Sequence, residues 1–216
     1  MFDLVFFSER ISDLKAIAET ESRLGNNTVI LAKNFHSEKE LNELKEKIKG
    51  INFKFKLCHL ITAPEPKELN KFKGKALVAV LGGNVTLNKF AVSTKGIDFL
   101  LQPCNEGQLS FDTAIAQTAA DNGIPIAFAF SQFLEMEGVR RRALFRNYSF
   151  TSRLIRKFKL ECMMFSGAKG LGQMRSIKDL TSVLVLLGFT REQAERLAER
   201  SALELFTQRE QYVYKK

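Results

Sequence analysis

Short, mostly apolar runs recur along this chain, the third alternating with Lys54 and Lys56. They alternate with stretches whose apolar residues fall at helical spacing. A strand that is apolar throughout is buried on both faces, as strands are in a parallel sheet covered by helices. The runs are Phe2–Phe7, Thr28–Ala32, Phe53–Ile61, Ala76–Leu81, Ile97–Leu101, Pro125–Phe130 and Glu161–Phe165, seven in all. Between them, Ser8, Ser37-x-x-Glu40, Ser110, Ser176-x-x-Asp179 and Thr190-x-x-Gln193 read as helix starts, and Gly25, Gly50, Gly123 and Gly188 as stops. The last of these helices carries Ala194, Leu197, Ala198, Ser201 and Leu205 on one side, and Pro64 and Pro66 break the pattern after the third run.

An open doubly wound sheet usually has fewer strands, and a closed eight-stranded barrel needs one more. The fold expected is an α/β, TIM-like (β/α) barrel with seven strands visible and one irregular or unplaced, the segment Val85–Val92 being the candidate for it. Eight units over 216 residues average about 27 each, compact for this architecture. No repeat, low-complexity segment or linker divides the chain, so a single barrel domain over 1–216 is expected.

Composition limits the function classes. At 45% hydrophobic and 26% charged residues the chain is a folded globular protein. No run approaches the roughly 18 apolar residues of a membrane span. Met1-Phe2-Asp3-Leu4 lacks a basic flank and a cleavage site, so no secretory signal is expected. Cys58, Cys104 and Cys162 are dispersed and odd in number, which fits a reducing cytosol.

The net charge of +9 is concentrated. Between Phe133 and Leu160 lie Arg140, Arg141, Arg142, Arg146, Arg153, Arg156, Lys157 and Lys159, opposed only by Glu135 and Glu137. At about 100° per residue, Leu144, Phe145, Tyr148, Ser152, Ile155 and Phe158 gather on one side of a helix. Arg142, Arg146, Arg153 and Lys157 gather within about 60° on the other. Such a ridge is either a solvated face or a surface for nucleic acid or an acidic protein, because arginine forks onto phosphate and bound polyanion releases counterions.

The glycine-rich segment Ser166-Gly167-Ala168-Lys169-Gly170-Leu171-Gly172-Gln173-Met174-Arg175 follows the seventh run. On a barrel this is the C-terminal rim, where Lys169 or Arg175 could hold an anion, or where the segment is simply a turn. Catalytic constellations are sparse. Asp3, His36 and His59 could meet as metal ligands only from distant strand ends, and structural roles are the expectation. Asp3, inside an apolar strand, needs a partner. No catalytic or metal residue is assigned. The 19 Phe residues read as core, so phosphate and shape recognition is expected over base stacking.

The second half carries a family resemblance. The stretches are Ile97-Asp98-Phe99-Leu100, Leu109-Ser110-Phe111-Asp112 and Ala119-Ala120-Asp121-Asn122-Gly123-Ile124-Pro125-Ile126. They continue through Arg153-Leu154-Ile155-Arg156-Lys157-Phe158-Lys159, Met163-Met164-Phe165-Ser166-Gly167-Ala168, Met174-Arg175-Ser176-Ile177-Lys178-Asp179-Leu180 and Leu187-Gly188-Phe189. In this order they resemble archaeal ribonuclease P protein component 3 and its eukaryotic counterpart. The resemblance implies a noncatalytic, RNA-binding subunit of the ribonucleoprotein endonuclease that removes 5′ leaders from precursor tRNA. It implies chemistry carried by the RNA subunit with Mg2+, no cofactor in this chain, and a location in the cytoplasm away from membranes. The implied partners are the ribonuclease P RNA, a smaller protein subunit, other ribonuclease P proteins and, indirectly, precursor tRNA. The basic positions it marks are Arg153, Arg156, Lys157, Lys159, Lys169 and Arg175, and with Arg142 and Arg146 of the helical ridge these are the residues expected to bind RNA or a partner. The family is related to barrel phosphoesterases, but this chain has no His-x-His, and Ser166-Gly167-Ala168 keeps no Asp or His. Ile177 stands where many relatives have proline. The alternatives are a stand-alone metal-dependent phosphoesterase and a purely protein-interacting scaffold.

Overall fold

In the computed structural model, which describes residues 2–8 and 12–197, seven parallel strands form one sheet in sequence order. They are β1 (Phe2–Phe6), β2 (Thr28–Lys33), β3 (Lys54–Ile61), β4 (Leu77–Leu81), β5 (Phe99–Leu101), β6 (Ile126–Ala129) and β7 (Cys162–Phe165). The helices are α1 (Leu14–Arg23), α2 (Glu38–Lys49), α3 (Pro66–Phe72), α4 (Val85–Ser93), α5 (Thr113–Asn122), α6 (Ser131–Leu134), α7 (Gly138–Phe158) and α8 (Ile177–Leu186). A further helical stretch runs over 191–197, opened by the expected box: Gln193 N–H donates to Thr190 Oγ1 (3.1 Å) and Thr190 N–H to Gln193 Oε1 (3.0 Å). Ala198, Ser201 and Leu205, expected on one side of that helix, lie outside the described residues.

Two buried layers explain the continuously apolar strands. Phe2, Leu4, Ile30, Ala32, Cys58, Leu60, Ala79, Phe99, Leu101, Ala127, Ala129, Met163 and Phe165 fill the barrel interior. Alternate residues such as Val5, Val29, Leu31, Val80, Ile126, Phe128 and Met164 face the helices. Seven strands enclose a narrower space than eight. The four interior alanines fit that space, with Phe99 and Phe165 rings 6.2 Å apart across it.

The sheet is mostly closed. β1 meets the chain just beyond β7: Phe6 N–H donates to Ala168 O and Gly167 N–H to Leu4 O, both at 2.9 Å, around one parallel bridge, Val5 to Ala168. No eighth strand occurs among the described residues. The segment Val85–Val92, held open for it, lies in helix α4 instead, capped by Asn84 Oδ1 on the Leu87 N–H (2.9 Å).

Four further boundaries differ from the expectation. Asp13, not Ser8, caps α1, accepting from Lys15 N (3.0 Å) and Ala16 N (3.1 Å). Asp112, not Ser110, caps α5 (2.8 Å), while the Ser110 hydroxyl donates to Pro103 O. Pro66 opens helix α3 rather than only breaking the pattern, since a first-turn proline gives up no helical hydrogen bond. The helix expected from Phe133 is two, α6 and α7, divided at Glu135–Glu137 before Gly138 (φ +51°).

Candidate functional site

Helix α7 joins the C-terminal end of β6 to the N-terminal end of the parallel β7, so it runs back along the outside of the barrel. Its sequence fixes which face is buried. Leu144, Tyr148, Thr151, Ser152, Leu154 and Ile155 are buried. Tyr148 packs on Phe128 (ring centroids 4.4 Å apart) and edge-on to Phe133 (5.0 Å), and its hydroxyl donates to Gln132 Oε1. Asn147 donates to the carbonyls of Asn105 (2.8 Å) and Gly107 (3.0 Å), which ties the β5–α5 loop to the helix. The helical pattern places Asn147 on the inner face, but which loop it holds depends on tertiary position.

Arg142, Arg146, Arg153 and Lys157 emerge on the outer face, all exposed. None has a carboxylate partner among the described residues. Fifteen residues of helix separate the first from the last, about 22 Å at the standard rise. Arg153 lies over the Phe150 ring (5.3 Å), and Lys157 Nζ lies 5.3 Å from the Phe158 ring centroid. Such contacts hold a cation along the helix while leaving its charge available.

The other basic positions have different surroundings. Arg156 is half-buried over the Phe189 ring (5.5 Å). It also lies against Gly188 (φ +93°), where an added Cβ would stand 3.0 Å from its Nη1. Lys159 is the left-handed cap of α7 (φ 53°), with its N–H on Arg156 O. Lys169 pairs with Glu135 (2.8 Å) and lies 5.8 Å from the Phe6 ring centroid. Arg175 donates to the carbonyls of Gly172 (2.9 Å) and Met174 (2.8 Å) and covers Phe130 (5.7 Å). It lines a shallow cleft of about 270 Å³ with Phe130, Asp179, Leu180 and Val183. Lys169 and Arg175 are therefore engaged at the rim and Arg156 against Phe189, while Lys159 stays exposed with the four residues of the open flank. The first turn of α8 is likewise occupied, by a reciprocal Ser176–Asp179 box.

The groups considered for catalysis are apart and engaged. Asp3 Oδ1 accepts from Ser166 N (2.7 Å) and Leu4 N (2.8 Å), and Oδ2 from the Ser166 hydroxyl. Glu21, buried beside it, accepts from Asn26 Nδ2 (2.6 Å). Burial raises both carboxyls, Asp3 to about 6 and Glu21 to about 9, the Asp3 charge adding to the rise at Glu21. His59 Nδ1 accepts from Phe35 N (3.2 Å), its ring stacks on Phe72 (3.9 Å), and burial lowers it to about 4. The three cysteines are buried and free, and burial pushes the Cys104 thiol up to about 12. Among the described residues no group of three or more His, Cys, Asp or Glu side chains could hold a metal ion.

With this geometry in place, comparison with known proteins is informative. A family model described as RNase P subunit p30 matches residues 2–212. Ribonuclease P protein component 3 of Thermococcus kodakarensis is 29% identical over 150 residues, covering 67% of this chain and 68% of that protein. The same component of Thermococcus gammatolerans is 27% identical over 157 residues, covering 70% and 73%. A chain in a cryo-EM structure of archaeal ribonuclease P with mature tRNA superposes with a TM-score of 0.80 at 20% identity, covering 100% of this chain and 94% of its own. At that identity the likeness is one of fold.

Proposed function

This chain belongs to the RNase P subunit p30 family, a protein subunit of the RNase P ribonucleoprotein, and from that membership we propose that it binds the RNA subunit through the outer face of α7. The observation that carries this is the row Arg142, Arg146, Arg153 and Lys157, exposed over about 22 Å with no carboxylate partner among the described residues. Unneutralised cations at such spacing attract phosphates and gain from counterion release. In this reading the RNA carries the chemistry with its own Mg2+, and the protein alone cleaves nothing. A smaller protein subunit binds beside it, and together they act on precursor tRNA in the cytoplasm, where buried free thiols such as Cys58, Cys104 and Cys162 stay reduced.

The phosphoesterase alternative has less support, because Asp3 and His59 are each taken up by neighbouring backbone. Reconstitution tests the proposal. Adding the chain with its partner to the RNA should raise cleavage of precursor tRNA, and no change would reject it. Arg142→Glu, Arg146→Glu, Arg153→Glu and Lys157→Glu together should weaken RNA binding by about 100-fold or more and lower its salt dependence. Unchanged binding would reject the helix as the footprint.

A further inference from the structure

Exposed cations without carboxylate partners occur at one end of the barrel beyond α7. Lys54 opens β3, Lys73 caps the end of α3, Lys95 stands just before β5, and Lys159 just before β7. All four are exposed, and none has a carboxylate partner among the described residues. Lys54 begins β3, and Lys73 and Lys95 precede the neighbouring strands β4 and β5, with the Lys73 side chain against Gly96 beside Lys95. Neighbouring strands lie about 4.8 Å apart, so these lysines form an arc. Lys157 and Lys159 bring the foot of the α7 ridge to the same end.

The opposite end differs in its carboxylates: Lys15, Lys39, Lys67 and Lys178 are exposed there too, but they share their helix starts with Asp13, Glu38, Glu65, Glu68 and Asp179. Lys33 pairs with Glu40 (2.6 Å), Lys169 with Glu135 (2.8 Å) and Arg140 with Glu106, and Arg175 is held by carbonyls. At the N-terminal end the carboxylates include Glu46, which pairs with Lys49 (2.6 Å), Asp98, which accepts from Val78 N (2.6 Å), Asp121, which accepts from Gln117 (2.7 Å), and Glu161. Helix C-termini favour a nearby cation, which accounts for Lys157. Lys54 instead begins a strand. The aromatic rings at this end, Phe53 and Phe55, are half-buried and packed on each other at 5.5 Å. They offer no platform for stacking bases, so the recognition available is of backbone phosphates.

We propose that the N-terminal end of the barrel, continuous with the foot of α7, contacts the phosphate backbone of a double-helical RNA segment through Lys54, Lys73, Lys95 and Lys159, while the C-terminal mouth stays outside the contact. This rests on the RNA-binding reading above. The test uses the full chain with an RNA hairpin bearing a continuous stem, and oligouridine of equal phosphate count, titrated at several salt concentrations. Lys54→Gln, Lys95→Gln and Lys159→Gln together should reduce hairpin affinity by about tenfold or more and the salt slope by two to three. The three Lys→Arg replacements should restore both. Lys33→Gln with Arg140→Gln, at the mouth, should leave them at the wild-type level, with circular dichroism checking the fold of each variant. If the α7 variant loses binding and the N-terminal-end variant does not, the inference is overturned and the α7 reading stands. If neither loses binding, the RNA-binding reading itself falls. An equal loss from the mouth variant, or equal affinity for oligouridine, also overturns the inference.

Discussion

Asp3 is a carboxyl group inside an apolar strand because the seam it sits on is incomplete. A full β1–β7 ladder would satisfy the Ser166 N–H with backbone. Here the Asp3 carboxylate does so, and Glu21 shares its burial. Glu21 holds a proton in the folded state that it would release at its ordinary 4.5 when unfolded. Its folded value is raised to about 9, so stability falls as pH rises between those values and is greatest below them. Asp3, raised from 3.8 to about 6, contributes with the same sign over its own window. Glu21→Gln should therefore flatten the decline and raise Tm near pH 8 by on the order of 5 °C, measured by thermal melts across pH. A decline as steep or steeper in the variant would contradict this account of Glu21. Gly167 is a second single-residue constraint. At φ +57° its missing Cβ would stand 2.6 Å from Ala129 Cβ. Gly167→Ala should cost about 2–3 kcal/mol in denaturant unfolding.

Helix α7 joins structure to function because its two faces obey different rules. The inner face is fixed by packing and by Asn147, whose two bonds to loop carbonyls hold 105–107 in place. Asn147→Ala removes both bonds, to half-buried Asn105 and exposed Gly107, and should destabilise by about 1–2 kcal/mol, with faster amide exchange in that loop. The outer face makes no comparable contacts. Charge reversal there should leave Tm within a few degrees while it weakens RNA binding. A matching loss of Tm would mean the ridge is structural. That separation was legible at the spacing of Arg142, Arg146, Arg153 and Lys157. It was not legible for Lys169 and Arg175. Their partners, Glu135 and the carbonyls of Gly172 and Met174, come from rim geometry that periodicity does not encode.

At the scale of the whole molecule, seven strands close most of a barrel, with four alanines among larger apolar residues inside and a short irregular seam. The continuous apolar runs established parallel strands under helices, because burial on two faces leaves no other composition. The places of the seven strands, and the basic face of α7, followed from pattern and periodicity, whereas closure without an eighth strand among the described residues did not. The helical state of Val85–Ser93 did not, since a short apolar segment suits either state and its packing with α5 and β4 decides. Nor did the closure through Ser166–Ala168, the partner of Asp3, or the unpaired lysines that meet at one end. Periodicity reports what each residue does relative to its neighbours in sequence. Whether a charge is neutralised or a carboxyl is held depends on residues far away in the chain, such as Asp3 and Ser166, and only the tertiary structure brings those together.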